Sequence, residues 1–391
     1  MGRTSDAVTL ADLDVNPHPV LARLRADEGP VAWVPALGAW LVTGYDIAVA
    51  VLRDARTFTV DDPRFSTARV VGPSMLSLDG ARHAHHRGPF SPPFRAEAVH
   101  ARLAEFTQAE TNRLVEGIAP HGEAELRRAV AGPLAVAVMA EALGLRDTDP
   151  ATILGWYDEI VAATAGQAGA PPDANPPSTA AFNQLADSMR KVINDPEHAA
   201  LLNEVAGPLT EAEVISNAAV LMFGGIETTE GMIANAVAHL LATPPALDQV
   251  RGDPALIPAA VEESLRLEPA AAVVDRFATA DSSIGGADIR AGDQVTVSLS
   301  GANRDPAVFA DPDSYRLHRE NAGKHLTFAH GPHFCLGAHL ARLEARVAVA
   351  TVLDRLPRLR PAGPATPRGL VFRKPPELPV RWDTPGVAFH P

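Results

Sequence analysis

Cysteine is nearly absent: the chain has one, Cys335, in 391 residues. No internal disulfide and no zinc site built from several cysteines is available to it. Basic residues are also scarce, with 34 Lys+Arg against 47 Asp+Glu and a net charge of −13. A nucleic-acid surface needs a clear basic footprint, so phosphate binding is not the expected role. No apolar run approaches the ~18 to 20 residues a membrane helix requires, and residues 1–17 are polar and acidic, without a signal-type apolar segment. The expectation is a soluble, cytoplasmic protein with no nucleic-acid and no membrane partner. Repeats and long charge blocks are missing too.

What is present is ordinary globular material, 46% hydrophobic and 21% charged, which sets aside disordered, collagen-like and disulfide-built classes. Length alone allows two or three domains. Pro and Gly are spread along the chain rather than gathered into a linker, which favours one compact domain over residues 1–391. Residues 31–43 alternate, with Trp33, Trp40 and Val42 around Pro35 and Gly38, and predict a hairpin followed by a helix opening near Asp46. From about His100 to Leu241 helical spacing prevails, except at residues 166–178, whose Pro and Gly density predicts a mobile surface loop. Short apolar runs with turns at Gly285-Gly286 and Gly292 predict strands within residues 284–299. The fold class is mainly α with a minor β region.

One long helix is unusually well marked. Thr210 with Glu213 forms a capping box, apolar residues run from Val214 through Met222 to Leu240, and Pro244-Pro245 stop it. At roughly 30 residues it would span about 45 Å. Its middle reads Phe223-Gly224-Gly225-Ile226-Glu227-Thr228-Thr229, with each glycine costing about 1 kcal/mol relative to alanine and polar groups on an apolar helix. The plain reading is a kink or close packing; the sharper one is a distorted turn where something needs a hydroxyl and a carboxylate.

Residues 325–346 hold the cysteine. Gly331 and Pro332 argue for a turn, and Leu336, Leu340, Leu343 and Val347 then fall at helical spacing. Cys335 therefore sits at or just before a helix N-terminus, where unpaired N–H groups favour an anionic sulfur. An inert buried thiol, a metal ligand, and a nucleophile using His330, His333 or His339 all remain open on this local ground.

The spacing of Phe328, Gly331, Cys335 and Gly337, F-x-x-G-x-x-x-C-x-G, resembles the haem-ligand loop of the cytochrome P450 superfamily. Further motifs occur in that family's order. Glu263 and Arg266 match its E-x-x-R, Gly224 to Thr229 its A-G-x-[DE]-T-T, His83 and Arg87 its H-x-x-x-R, and Asn303-Arg304-Asp305-Pro306 with Arg319 its N-R-D-P segment and meander arginine. The resemblance implies the cytochrome P450 fold, haem b as cofactor, and Cys335 as the axial iron ligand, a thiolate that favours O–O cleavage. It implies His83, Arg87, Arg276 and His333 as partners of the haem propionates, with Asp275 and Asp281 as alternative partners of Arg276, and Phe328, Gly225 and Gly337 beside the cofactor. Thr228 and Glu227 would order waters and deliver protons. Val220, Phe223, Gly224, Ala272 and Val273 would face substrate, and residues 58–78 and 166–178 would form its access channel. Glu263, Arg266 and Arg319 would form a buried structural network.

The implied activity is insertion of one oxygen atom from dioxygen into a small apolar organic substrate, by hydroxylation or epoxidation. Ring formation, desaturation or coupling is the alternative within the family, and a non-catalytic haem or gas-sensing protein the alternative outside it. With no flavin domain in the remaining length, electrons would come from a ferredoxin and its ferredoxin reductase. Arg342 and Arg346 would help dock that acidic partner. Ala329 stands where the family commonly has glycine, and Arg316 where it commonly has aspartate.

Overall fold

The computed structural model describes residues 2–167, 180–195 and 201–384. Helices dominate, as the periodicity predicts. Five of them hold residues singled out in the sequence or pack against them: α1 (Tyr45–Arg53), α2 (Gly80–Arg87), α3 (Glu211–Ala242), α4 (Ile257–Leu267) and α5 (Ala338–Arg355). Four strands of the main sheet matter: β1 (Val31–Val34), β2 (Ala39–Val42), β3 (Val273–Ala278) and β4 (Gln294–Ser298).

The chain divides into two compact units. One comprises Met1–Phe58, Thr107–Leu134 and Glu227–Pro391, the other Thr59–Phe106 and Ala135–Ile226. In the first, β1 and β2 form the expected hairpin in the register Val31↔Val42 and Trp33↔Trp40. The two indoles meet edge to face at 5.6 Å, an arrangement favoured by their quadrupoles. Strand β2 then pairs in parallel with β4, and β4 antiparallel with β3. Val31, Val42, Ala48, Val51, Leu52, Val295 and Val297 form one buried core beneath that sheet and α1. Gly285 and Gly286 have φ of 61° and 84° and close the predicted turn between Ser282–Ile284 and Ala287–Ile289, conformations that glycine adopts without steric cost.

Helix α3 confirms its sequence signals. The Thr210 N–H donates to Glu213 Oε2 at 2.8 Å, and the Glu213 N–H returns a bond to Thr210 Oγ1 at 3.3 Å. It ends at Ala242, and Pro244 and Pro245 open the next helix, Pro244–Gly252, where proline's missing N–H costs nothing. Helix α3 runs as continuous α-helix through Gly224 and Gly225, so the distorted turn is not found.

The predicted helical region also contains a strand, Glu123–Glu125, paired with Pro379–Arg381. Its partner lies over 250 residues away, beyond the reach of a local pattern. Of the predicted loop at 166–178, Gly166 and Gln167 end a helix, Pro150–Gln167; the rest lies outside the described residues.

Candidate active site

The Cys335 loop is held from both sides. The Cys335 N–H donates to the Phe328 carbonyl at 2.8 Å, and the Phe334 N–H to that of Gly331 at 3.1 Å. Gly331 has a φ of 72°, and a Cβ there would lie 2.4 Å from the Leu52 carbonyl oxygen. Glycine therefore lets the loop rest on the end of α1. On the other side Gly337 precedes α5. Cys335 is exposed just ahead of that helix, where the helix dipole favours a thiolate. Phe328 is buried, and the Arg342 guanidinium stands 4.4 Å over its ring.

Arg342 is also bound elsewhere. Its Nε and Nη2 donate to Glu262 at 2.6 and 3.0 Å, Arg346 reaches the same carboxylate at 3.5 Å, and His325 Nε2 lies 3.1 Å from it. Burial opposes ionisation of Glu262, but the hydrogen bonds from His325 and Arg342 outweigh it and bring its pKa down to about 2. Arg342 is thus a clamp between the cysteine loop and α4, which sequence spacing alone did not reveal.

The predicted structural network is assembled on α4. Arg266 donates through Nε and Nη2 to both oxygens of Glu263, each at 2.8 Å, and Arg319 Nε adds a bond at 3.0 Å. Arg266 and Glu263 are fully buried. The remaining Arg266 donors go to the carbonyls of Asn303, Pro312 and Ser314, so the pair is satisfied as buried charge requires.

Arg276 is buried on β3, and its Nη1 donates to the Asp275 carbonyl at 2.7 Å. The Asp281 carboxylate is taken by Arg290, and Asp275 Oδ1 accepts from Thr296. His333 lies half-buried within the turn Gly331–His333. Ala272 and Val273 begin the β3 region, with the Ala272 N–H on Val371 and its carbonyl taking the Leu299 N–H. Cys335, Arg276, His333, Glu227 and Thr228 all belong to the first unit.

His83 and Arg87 belong to the second unit, on α2, with His83 buried and Arg87 half-buried. Val220, Phe223, Gly224 and Gly225 are in the same unit. Val220 is buried, and the Phe223 ring lies 6.3 Å from that of Tyr157. A Cβ on Gly225 would fall 2.5 Å from Met139 Sδ, whereas one on Gly224 would meet nothing within 4 Å.

Glu227 has company that sequence reasoning missed. Lys374 Nζ lies 2.7 Å from Glu227 Oε1 and also contacts Glu230 Oε2, while Arg127 Nη1 donates to Glu230 Oε1 at 3.0 Å. The one signal available was scarcity: Lys191, Lys324 and Lys374 are the chain's three lysines.

The donor set fits an iron porphyrin. Among the described residues no group of three or more His, Cys, Asp or Glu is placed to hold a bare metal ion. A metal bound to the exposed sulfur of Cys335 must therefore bring its other ligands with it, as a macrocycle does. Fold and site together describe a mainly helical protein with one exposed cysteine just ahead of a helix.

The known proteins agree. The family model described as cytochrome P450 matches residues 193–357. The chain is 36% identical to the cytochrome P450 monooxygenase PikC of Streptomyces venezuelae over 95% of its own length and 92% of the relative's. It is 35% identical to the mycinamicin IV hydroxylase/epoxidase of Micromonospora griseorubida, over 88% and 89%. The crystal structure of P450BioI in complex with hexadec-9Z-enoic acid ligated acyl carrier protein superposes with a TM-score of 0.84 at 30% identity, over 94% of this chain and 99% of that one. This chain belongs to the cytochrome P450 family, and it is a haem-thiolate monooxygenase, an oxidoreductase. Among the described residues no helix is long and apolar enough to cross a membrane.

Proposed function

We propose that residues 1–391 form one catalytic domain that inserts an oxygen atom from dioxygen into an apolar small molecule of secondary metabolism, by hydroxylation or epoxidation, in the cytoplasm. The observation that carries this reading is the lone cysteine, exposed on a loop bonded to the Phe328 carbonyl and resting through Gly331 on the end of α1. In this reading Cys335 binds haem b, which when bound supplies the oxygen-activating iron. Buried Arg276 and His83, with Arg87 and His333, supply charge-assisted donors to the propionates, and Phe328 and Gly337 shape the loop around the sulfur. Gly225 belongs beside the cofactor as well.

Glu227 would give up protons and the Thr228 hydroxyl would order the water that carries them. Val220, Phe223, Gly224, Ala272 and Val273 would bind the substrate. One relative is named for hydroxylation or epoxidation of mycinamicin IV, which supports the reaction, and one neighbour is seen with hexadec-9Z-enoic acid ligated to an acyl carrier protein, whose acyl chain supports an apolar substrate. Electrons come from a ferredoxin and its reductase. Arg342 and Arg346 both contact Glu262, and Arg346, with its side chain 41% exposed against 21% for Arg342, is the one we assign to docking.

A visible-absorption titration of the ferric protein tests this reading. A thiolate-type low-spin spectrum that turns high-spin with one class of apolar compound is expected, because the compound displaces water from the iron. Cys335→Ser should lose the thiolate signature. A protein that takes up no haem on reconstitution, or keeps the thiolate spectrum after Cys335→Ser, would overturn it.

A further inference from the structure

The second compact unit holds a hydrogen-bond chain that the proposed chemistry does not use. It joins α2, the first turns of α3 and residues 73–78. Asn217, fully buried on α3, is its centre. Its Oδ1 accepts the Met75 N–H at 2.7 Å, while its Nδ2 donates to the Glu213 carbonyl at 2.7 Å and lies 2.9 Å from His86 Nδ1.

Two backbone groups fix which way this amide points. An N–H can only donate and a carbonyl can only accept, so Oδ1 must face Met75 and Nδ2 must face Glu213. The second hydrogen on Nδ2 is then directed at His86, and Nδ1 of that ring must be its bare, accepting nitrogen. The ring proton therefore sits on Nε2, 3.4 Å from Glu213 Oε1. With its side chain 7% exposed, His86 has little water to exchange for these partners.

Residues 73–78 have a second tether. Ser216 Oγ donates to the Pro73 carbonyl at 2.7 Å, and neither group titrates. Beyond it Met75 is buried, and the Ser77 N–H on the Ser74 carbonyl at 3.0 Å, with the Ser74 N–H on Ser77 Oγ at 3.1 Å, closes a turn. Charge near His86 comes from Glu213 on α3 and from His85 and Arg82 on α2; residues 73–78 carry none. The Thr210 N–H and hydroxyl hold the Glu213 carboxyl below its ordinary range. His85 Nε2 also stands 3.4 Å from Glu213 Oε1.

We propose that His86 and Asn217 form a pH-sensitive latch on residues 73–78, closed while His86 is neutral and opened when its Nδ1 takes up a proton. A protonated imidazole donates from both nitrogens. Its Nδ1–H would confront the Nδ2 hydrogens, and that bond is lost. Turning the amide over gives Nδ1–H an acceptor, but it takes Oδ1 from Met75 and sets it against the Glu213 carbonyl. Either arrangement leaves a buried polar group unpaired, and release of Met75 relieves it. The Ser216 tether keeps Pro73 in place as the hinge. Burial draws the His86 pKa below 6.5 against the pull of Glu213, so the latch is closed at neutral pH and opens on the acid side.

Hydrogen exchange of the Met75 amide in the haem-loaded chain, expressed as protection over the intrinsic rate at each pH, reads the latch directly. Opening that takes up one proton becomes more frequent by up to about tenfold per pH unit. Wild-type protection should fall toward that slope below pH 6.5. His86→Gln supplies an acceptor that does not titrate, and its protection should stay level. His85→Gln leaves the latch atoms in place and should keep the wild-type slope, and Asn217→Ala should be poorly protected at every pH. The Gly72 amide, bonded to the Ala68 carbonyl ahead of the hinge, should hold its protection in all four proteins.

Equal slopes in wild type and His86→Gln would overturn the proposal. A slope removed by His85→Gln instead would do the same, by moving the titrating group to His85. Nitrogen chemical shifts of the wild-type His86 ring give an answer that needs no variant: the Nε2–H tautomer at alkaline pH is expected, and the Nδ1–H tautomer would sink the latch. A consequence for substrate rests on the reading of residues 58–78 as part of the access channel. The spin-state change with an apolar compound should then speed up on acidification more in wild type than in His86→Gln. Equal acceleration beside the expected exchange pattern would strike that access role and leave the latch standing.

Discussion

At the scale of single residues, strain and burial mark where this chain departs from easy chemistry. Ala329, six residues before the cysteine, has a φ of 57°, a left-handed conformation in which a Cβ crowds the following carbonyl at a cost of roughly 1–2 kcal/mol. Glycine removes that crowding but gains freedom in the unfolded chain, which returns part of the benefit. Ala329→Gly should therefore stabilise the protein by about 0.5–1 kcal/mol, read as a higher denaturant midpoint at unchanged slope. A lower midpoint would mean that the contacts of the Ala329 methyl with the sheet core outweigh its strain. Sequence marked Ala329 as an oddity by resemblance; the positive φ that makes it one is set by the loop's packing on α1 and is invisible in a string of letters.

At the scale of elements, the long helix shows what local signals can and cannot foresee. Its two ends were legible because capping boxes and prolines act within a few residues. The expected distortion at Gly224 and Gly225 was a sum of propensities. A helix of 32 residues packed along its length overrides a local cost of that size. The two glycines differ only in what lies beyond them. A methyl at Gly224 meets open space, so Gly224→Ala should gain up to about 1 kcal/mol from helix propensity. A methyl at Gly225 would sit 2.5 Å from Met139 Sδ and 2.9 Å from its Cγ, forcing a fully buried side chain aside. Gly225→Ala should lose about 1–3 kcal/mol to overpacking. Chemical denaturation of the pair gives the comparison, and two glycines that respond alike would contradict it. The candidate site divides in the same way. Glu263 and Arg266 were readable at i,i+3, and the cysteine loop from its glycine spacing. Lys374, Arg127 and Glu262 were not, because their partners are 63 to 147 positions away and only the fold brings them together.

At the scale of the whole molecule, buried titratable groups set how stability follows pH. His239 is half-buried in the first unit, its Nδ1 2.9 Å from Ser264 Oγ, and loss of solvent pushes its pKa down from 6.5 to about 4. The unfolded chain takes up a proton below pH 6.5 that the folded chain refuses, so stability is lost as pH falls from 6.5 to 4, by on the order of 3 kcal/mol in total. Glu344, buried on α5 with no hydrogen-bond partner for Oε2, is pushed well above 4.5 by burial. It has the opposite sign: the unfolded chain releases a proton above pH 4.5 that the folded chain keeps, so its contribution falls as pH rises. Between pH 4.5 and 6.5 the two slopes oppose each other, with burial of His18 and His86 adding to the His239 side. Below 4.5 the offset ends and a further loss begins. Burial disfavours the Glu268 carboxylate, but the His18 hydrogen bond and Arg373 hold its pKa near 2, and Glu262 lies near 2 as well. Wild type should thus decline gently from pH 6.5 to 4.5 and steeply below. Glu344→Gln should steepen the gentle limb and flatten the profile on its alkaline side, whereas His239→Asn should flatten the gentle limb or reverse it. Denaturant midpoints measured across pH 3 to 9 decide the matter. Parallel curves for the three proteins would mean that these groups do not govern the profile, while curves that diverge in opposite directions assign each limb to its residue.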